Sequence, residues 1–340
     1  MRRKKNRFLD ILESYVTEYM PYAAGLSGNT IRSYKDTFRL LLAYLQEEKG
    51  IKPHKVAFAE LDYDTLTGFM DWLEQTRKCS VSTRNQRLTI LAAFAAYAQN
   101  RDFDAASVFM NSIQKIPAKR TQSKPRTIFT MEEVALLLRL PDTSTDIGRR
   151  NQMILNLMYA SGARAQEICD LRVRDVQFQK NLTRLTLTGK GNKVRRIVIA
   201  KSCAGMLKHY LDWRGISHDL NRYIFSSQTH EHMTVSCIEE IYKKYVAEAR
   251  EQHPEMFLQS KYTPHTMRHT TATHMLEAGV PLMAIKNFLG HVSVATTERY
   301  AELSQTTTDK HIREWNRRWF WDADPADDPK RQTSPTDFLK

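Results

Sequence analysis

Residues 182–200 read LTRLTLTGKGNKVRRIVIA. Two apolar-rich runs flank the glycine-containing GKGNK. Leu182, Leu185 and Leu187 precede it; Val194, Ile197 and Ile199 follow. Alternation on both sides of such a turn predicts a β-hairpin or small sheet. The rest of residues 150 to 320 carries apolar residues at helical spacing. The second half therefore reads as mostly helical with one β interruption, and the whole chain as mainly α with a small β-sheet.

Upstream, the first hundred residues read as helices. FLDILESYVTEYM repeats apolar residues at Phe8, Ile11, Leu12, Tyr15, Val16 and Tyr19. GNTIRSYKDTFRLLLAYLQEEKG offers an N-cap at Asn29 and a stop at Gly50, with Ile31, Tyr34, Phe38, Leu41, Leu42 and Leu45 as its buried stripe. A third helix fits Asp64 to Arg77, and a fourth begins near Ser80 or Ser82. Four helices joined by short loops make a compact bundle, assigned to residues 1–113. Residues 114–129 hold two prolines and five Lys or Arg, and read as an extended basic linker. A second domain spans 130–321, opening on a capped helix at Thr130. Residues 322–340, polar and Pro-rich, read as a disordered tail.

Composition bounds the partners. Of 340 residues, 41% are hydrophobic, enough for two cores. Lys and Arg total 51 against 38 Asp and Glu, a net +13. That excess favours a polyanion, most simply nucleic acid, over a merely soluble basic protein. Cys79, Cys169, Cys203 and Cys237 lie far apart with no C-x-x-C spacing, which argues against a zinc site or disulfide framework and fits a reducing cytoplasm. MRRKKNRFLDILESYV begins like a signal peptide, but Asp10 and Glu13 break its apolar region. No apolar run approaches the ~18 residues of a membrane span. A soluble cytoplasmic protein is the expectation.

Cations at helix starts are candidate phosphate contacts: Arg32 and Lys35, then Arg84 and Arg87. Lys119 and Arg120 in the linker could run along a DNA backbone. Each also reads as part of a solvated polar face.

Seven residues stand out for chemistry. SGARAQEICDL places Arg164 three residues before Glu167; TGKGNK places Lys190 at the hairpin tip; TPHTMRHTTATHMLEAG places His265 and Arg268 one helical turn apart; LGHVSVATTERYAEL supplies His291 and Tyr300. Singly, each has a plain structural reading: a helical ion pair, an exposed turn, a cap, an amphipathic tyrosine. Together they meet a chemical need. Cleaving a phosphodiester without metal requires a nucleophile, charge on the non-bridging oxygens and a proton donor for the leaving oxygen. Two arginines, a lysine, histidines and a phenol supply these groups.

The order Arg, Lys, His-x-x-Arg, His, Tyr resembles the tyrosine recombinase (phage integrase) family. SGARAQEICDL is similar to its first arginine box, TGKGNKVRRIVI to its lysine hairpin, and PHTMRHTTATHMLEAGV and IKNFLGHVSVATTERYA to its two C-terminal boxes. The likeness extends to about residue 320. It implies a four-helix, SAM-like, DNA-binding core-binding domain followed by a catalytic domain. By position it implies Tyr300 as nucleophile, Arg164 and Arg268 as the phosphate-holding pair, and His291 as a donor to a non-bridging oxygen. His265 falls on the histidine of proton transfer or phosphate positioning. Lys190 falls on the general acid, with Lys193 its rival, and Glu167 on an acidic residue that orients the site.

The resemblance further implies cleavage and rejoining of double-stranded DNA through a 3′-phosphotyrosyl link, without cofactor, metal or ATP. It implies a homo-tetramer exchanging strands between two duplexes through a Holliday junction. A mobile-element recombinase is the preferred role; a Xer-type resolvase, a type IB topoisomerase-like nicking-closing enzyme and a non-catalytic DNA-binding regulator are the alternatives. In DKHIREWNRRWFW, Ile312, Trp315 and Trp319 share one helical face that packs on its own domain or docks into a neighbouring protomer.

Overall fold

The structure, a computed structural model, describes residues 6–121 and 127–290. His291, Tyr300, Ile312, Trp315 and Trp319 lie outside the described residues, as does the side chain of Lys190. The chain divides into two compact units, residues 1–124 and 125–340.

The first unit is helical. Asn6 caps α1 (Arg7–Ser14), its side chain accepting from the Leu9 N–H. A π-helical stretch, Tyr15–Ala23, continues it and contains Pro21. The next helix, α2 (Gly28–Lys49), starts at Ser27 rather than Asn29, because the Ser27 hydroxyl accepts from Thr30 N–H. It stops at Gly50, which takes the left-handed conformation at φ 67°. Asp62 caps α3 (Tyr63–Gln75), and Ser80 caps α4 (Val81–Arg101). The four expected helices are joined by a fifth, α5 (Phe103–Lys115), capped by Asp102. Its Phe109 ring packs 6.0 Å from Phe94, which also meets Phe8 and Phe38 edge-on. This aromatic knot forms the centre of the first core.

In the second unit, Thr130 and Glu133 form a reciprocal capping box on α6 (Met131–Arg139). A long helix, α7 (Asp146–Ser161), crosses the core and ends at Gly162 with φ 56°. The short α8 (Ala165–Cys169) follows. Then come β1 (Val176–Phe178), β2 (Thr183–Thr188) and β3 (Val194–Ile199), an antiparallel sheet in the order β1-β2-β3. Four helices complete the described part: α9 (Lys201–Trp213), α10 (Val235–Gln252), α11 (Pro264–Glu277) and α12 (Leu282–Leu289).

The expected hairpin is present, with one shift in its inward set. Leu185, Leu187, Ile197 and Ile199 are buried, but Val194 is 58% exposed. Side chains alternate faces along a strand, so 195, 197 and 199 share the core face and 194 cannot join them. The inward position opposite Leu187 is therefore Arg195. Among the described residues no helix is long and apolar enough to cross a membrane.

Candidate active site

The turn from α7 into α8 delivers Arg164. Gly162 breaks α7, and Arg164 becomes the N-cap of α8 with an extended backbone. Its own N–H donates to Glu167 Oε2 at 2.8 Å, and its Nη1 donates to Glu167 Oε1 at 2.9 Å. Glu167 is thus both the capping partner and the charge partner of Arg164. Its side chain is only 2% exposed, while that of Arg164 is 34% exposed. One face of the Arg164 guanidinium is therefore held by the protein and the other reaches solvent.

Glu167 has a second arginine. Arg195 Nη1 donates to Oε1 at 2.7 Å and Nη2 to Oε2 at 2.8 Å, a parallel two-bond fork. Burial pushes the Glu167 carboxyl up, but the bonds and charge of Arg195, then those of Arg164, outweigh it and hold the group below the usual carboxylate range. Arg195 Nε also donates to the Phe288 carbonyl at 2.9 Å. Arg195 was invisible to motif reading, since VRRIVI offers two adjacent arginines in a polar-looking segment. The period of the strand is the signal that separates them: Arg196 faces out and is exposed, and Arg195 faces in.

Arg268 sits on α11 and is 3% exposed. Its Nη1 donates to Gly162 O at 2.6 Å and its Nη2 to Leu289 O at 2.5 Å. The last carbonyls of α12, orphaned by the end of the helix, are therefore met by two arginines from different elements, Arg195 and Arg268. Gly290 closes α12 at φ 68°, and a methyl group there would lie 2.8 Å from Arg195 Cδ. Likewise, a methyl group on Gly162 would lie 2.7 Å from Leu289, and one on Gly189 would lie 2.9 Å from Glu167 Oε1. Glycine lets three chain segments close around one carboxylate and two guanidinium groups.

The hairpin tip reaches the same place. Gly189 N–H donates to Lys193 O at 2.8 Å, closing a tight loop with Gly191 at φ 74° and Asn192 at φ 57°. Lys193 is exposed. His265 occupies the first turn of α11, capped by Thr263, one turn before Arg268. Its ring reaches solvent, yet loss of hydration is the largest cause pushing its pKa down, followed by the charges of Arg268 and Arg164. Both effects favour the neutral imidazole. Arg164, Glu167, His265, Arg268 and the base of the lysine loop thus gather around the α7–α8 turn; His291 and Tyr300 lie outside the described residues.

The candidate DNA contacts divide. Arg32 and Lys35 are exposed, and Arg32 shares a polar groove of about 270 Å³ with Asn29, Thr83, Gln86 and Arg87 at the starts of α2 and α4. Arg87 also donates to Cys79 Sγ at 2.9 Å. Arg84 is corrected: it is 3% exposed, donates to Pro117 O at 2.8 Å and lies 3.6 Å from Glu74, so it braces the end of the linker rather than meeting a phosphate. Lys119 is exposed but paired with Glu74 at 2.7 Å, and Arg120 is exposed.

Comparison with known proteins agrees with this layout. Residues 127–307 match the phage integrase family, and residues 7–113 match the phage integrase SAM-like domain. An integrase/recombinase of Sinorhizobium fredii, y4rC, is 33% identical over 86% of this chain and 86% of its own length. The tyrosine recombinase XerD of Listeria monocytogenes is 28% identical over 87% of this chain and 95% of its own. In fold, the chain is similar to the XerH site-specific recombinase in a post-cleavage complex with palindromic difH DNA, at TM-score 0.69 and 17% identity over 93% of this chain and 92% of that one. It is equally similar to the Tn1549 transposon integrase in complex with transposon right-end DNA, at TM-score 0.69 and 17% identity over 90% and 98%. The chain belongs to the phage integrase family, the tyrosine recombinases, a class of enzymes that transfer DNA strands.

Proposed function

We propose that this protein is a site-specific recombinase that cuts and rejoins double-stranded DNA through Tyr300. The observation that carries the reading is the pair of hydrogen bonds that Arg268 donates. One buried guanidinium holds Gly162, two residues before Arg164, and Leu289, two residues before His291. Residues just before Arg164 and just before His291 are thereby held by one cation.

In this reading the scissile phosphate sits on the open face of Arg164 and against Arg268, whose charges offset the growing charge of the pentacoordinate state. His291 adds a donor. The Tyr300 oxygen attacks phosphorus, and neutral His265 takes its proton. The bond to the 5′ oxygen breaks, Lys190 protonates that oxygen, and a 3′-phosphotyrosyl ester remains. A 5′-hydroxyl of a partner duplex then attacks the ester and releases Tyr300. The ester conserves the bond energy, so the cycle needs neither ATP nor a metal ion. Exchange between two duplexes calls for a homo-tetramer, with the Ile312, Trp315 and Trp319 face docking into a neighbour. A mobile-element role is the preferred reading; the 33% identity to y4rC, named an integrase/recombinase, supports it.

A nicked duplex that loses a short fragment after cleavage tests this. The wild type is expected to trap covalently, and Tyr300→Phe is expected to bind but not trap. A covalent adduct formed by Tyr300→Phe overturns the nucleophile assignment. Recombinant product from two duplexes separates strand exchange from nicking and closing of one.

A further inference from the structure

We propose that Arg195 is a positioning residue for strand cleavage, coupling the Arg164 turn to the end of α12. This inference rests on the recombinase reading above and adds to it a residue that meets no reacting atom.

The geometry is that of a bracket. Arg195 donates two parallel bonds to Glu167, at 2.7 and 2.8 Å, and a third from Nε to the Phe288 carbonyl at 2.9 Å. Glu167 in turn holds the backbone N–H and Nη1 of Arg164. The same β-strand that carries Arg195 forms one arm of the lysine hairpin, and Gly189 on the other arm lies against Glu167. Three segments are thus registered against each other by one guanidinium: the Arg164 turn, the lysine hairpin, and the helix whose next residue after Gly290 is His291. The carboxylate is almost wholly buried and the Arg195 side chain is 10% exposed, so water does not replace these bonds readily.

Only a planar fork does this. A lysine at 195 keeps the charge but offers one point of contact, and it cannot hold both carboxylate oxygens and a carbonyl at once. A residue that served only as a charge in the core would be rescued by lysine. A residue that sets register would not.

The test uses the full chain and the nicked duplex at saturating DNA, with adduct formation followed in a single turnover. Arg195→Lys and Arg195→Gln are compared with Arg196→Gln, which removes one charge from the outer face of the same strand. Thermal melting and DNA affinity are measured in parallel. The expected result is an adduct rate ~100-fold lower in both Arg195 variants, the scale of an ångström-sized misplacement, with DNA affinity changed little and Arg196→Gln near wild type. In Arg195→Gln, Glu167 keeps burial but loses its stronger partner, so it takes up a proton at higher pH. The acid limb of the rate, which in the wild type comes from protonation of His265, should then begin at a higher pH. Should Arg195→Gln prove unfolded, Arg195→Lys carries the test alone. A wild-type rate in a folded Arg195 variant, or an equal loss in Arg196→Gln, overturns this inference and leaves the recombinase reading standing. Failure of the wild type to form any adduct overturns both.

Discussion

Arg268 on α11 donates to the carbonyl of Gly162, 106 residues earlier, at 2.6 Å. It also serves Leu289 O from its other terminal nitrogen. Arg268→Ala therefore strands two acceptors as well as removing the proposed phosphate ligand. Each buried carbonyl left unpaired costs about 1–3 kcal/mol. The expected outcome is no detectable adduct and a denaturation midpoint lowered for the second unit. A variant as stable as wild type would show that the two carbonyls find other donors.

Acid should loosen the same region. Glu167 has its folded pKa depressed, so its stabilisation is present above the ordinary carboxylate range and is lost as pH falls through the folded value. Glu167→Gln removes that dependence and leaves Arg195 buried without its counter-charge. At neutral pH the loss is expected at about 3–5 kcal/mol, the scale for breaking one side of a buried pair. Denaturant unfolding across pH checks both: the wild type should weaken in acid, and the variant should start lower with a flatter profile.

Two glycines with similar backbone angles should answer differently to alanine. Gly162 and Gly191 have φ of 56° and 74°. Nothing lies within 4 Å of a methyl group on Gly191, whereas one on Gly162 meets Leu289 at 2.7 Å. Gly191→Ala is expected to cost about 1–2 kcal/mol, the backbone term alone. Gly162→Ala should cost clearly more and slow cleavage, because α12 must move away. Equal melting shifts would argue against the close contact.

Salt dependence sorts the basic residues of the first unit. Replacing an arginine that meets a phosphate lowers the slope of log affinity against log salt by about 1. Arg32→Ala is expected to do this with little change in stability. Arg84→Ala should do the reverse: it loses the Pro117 carbonyl and the Glu74 pairing, so the unit melts earlier while the slope holds.

Deleting residues 309–340 should reduce Holliday-junction yield and assembly on two duplexes, while binding to a single site stays near wild type. Gel-shift stoichiometry and junction yield measure the two separately. Unchanged junction yield would remove the tail face from the assembly.

Much of this molecule was legible because local rules and tertiary packing agreed. The Gly50 stop, the Ser80 cap and the hairpin at 182–200 each follow from one short pattern that the core then uses. Legibility failed where a residue served an unexpected partner. Asn29 looked like a cap, but Ser27 was better placed to accept from Thr30 N–H. Helix α5 was missed because Phe103 and Val108 are exposed, which blurs the apolar stripe ending at Phe109 and Ile113. Arg84 and Arg195 look like solvent-facing cations in the sequence, since a buried charge breaks the pattern that identifies inward positions. Pro117, Glu167 and Phe288, which they hold, lie 28 to 93 residues away in the chain, beyond the reach of any local period.

The entry into the second unit has a mechanical consequence. Phe129 is held to α11 by both of its main-chain groups: its N–H donates to Thr270 Oγ1 at 2.9 Å, and its carbonyl lies 3.2 Å from His274 Nε2. Burial pushes the His274 pKa down, and Tyr159 Oη lies 3.0 Å from its Nδ1, so a neutral ring can donate to Phe129 and accept from Tyr159. These contacts are one helical turn apart and act as two pins along the axis. To slide, α11 would have to shed both, together with the two bonds of Arg268. It is built as a fixed rail for the side chains it carries.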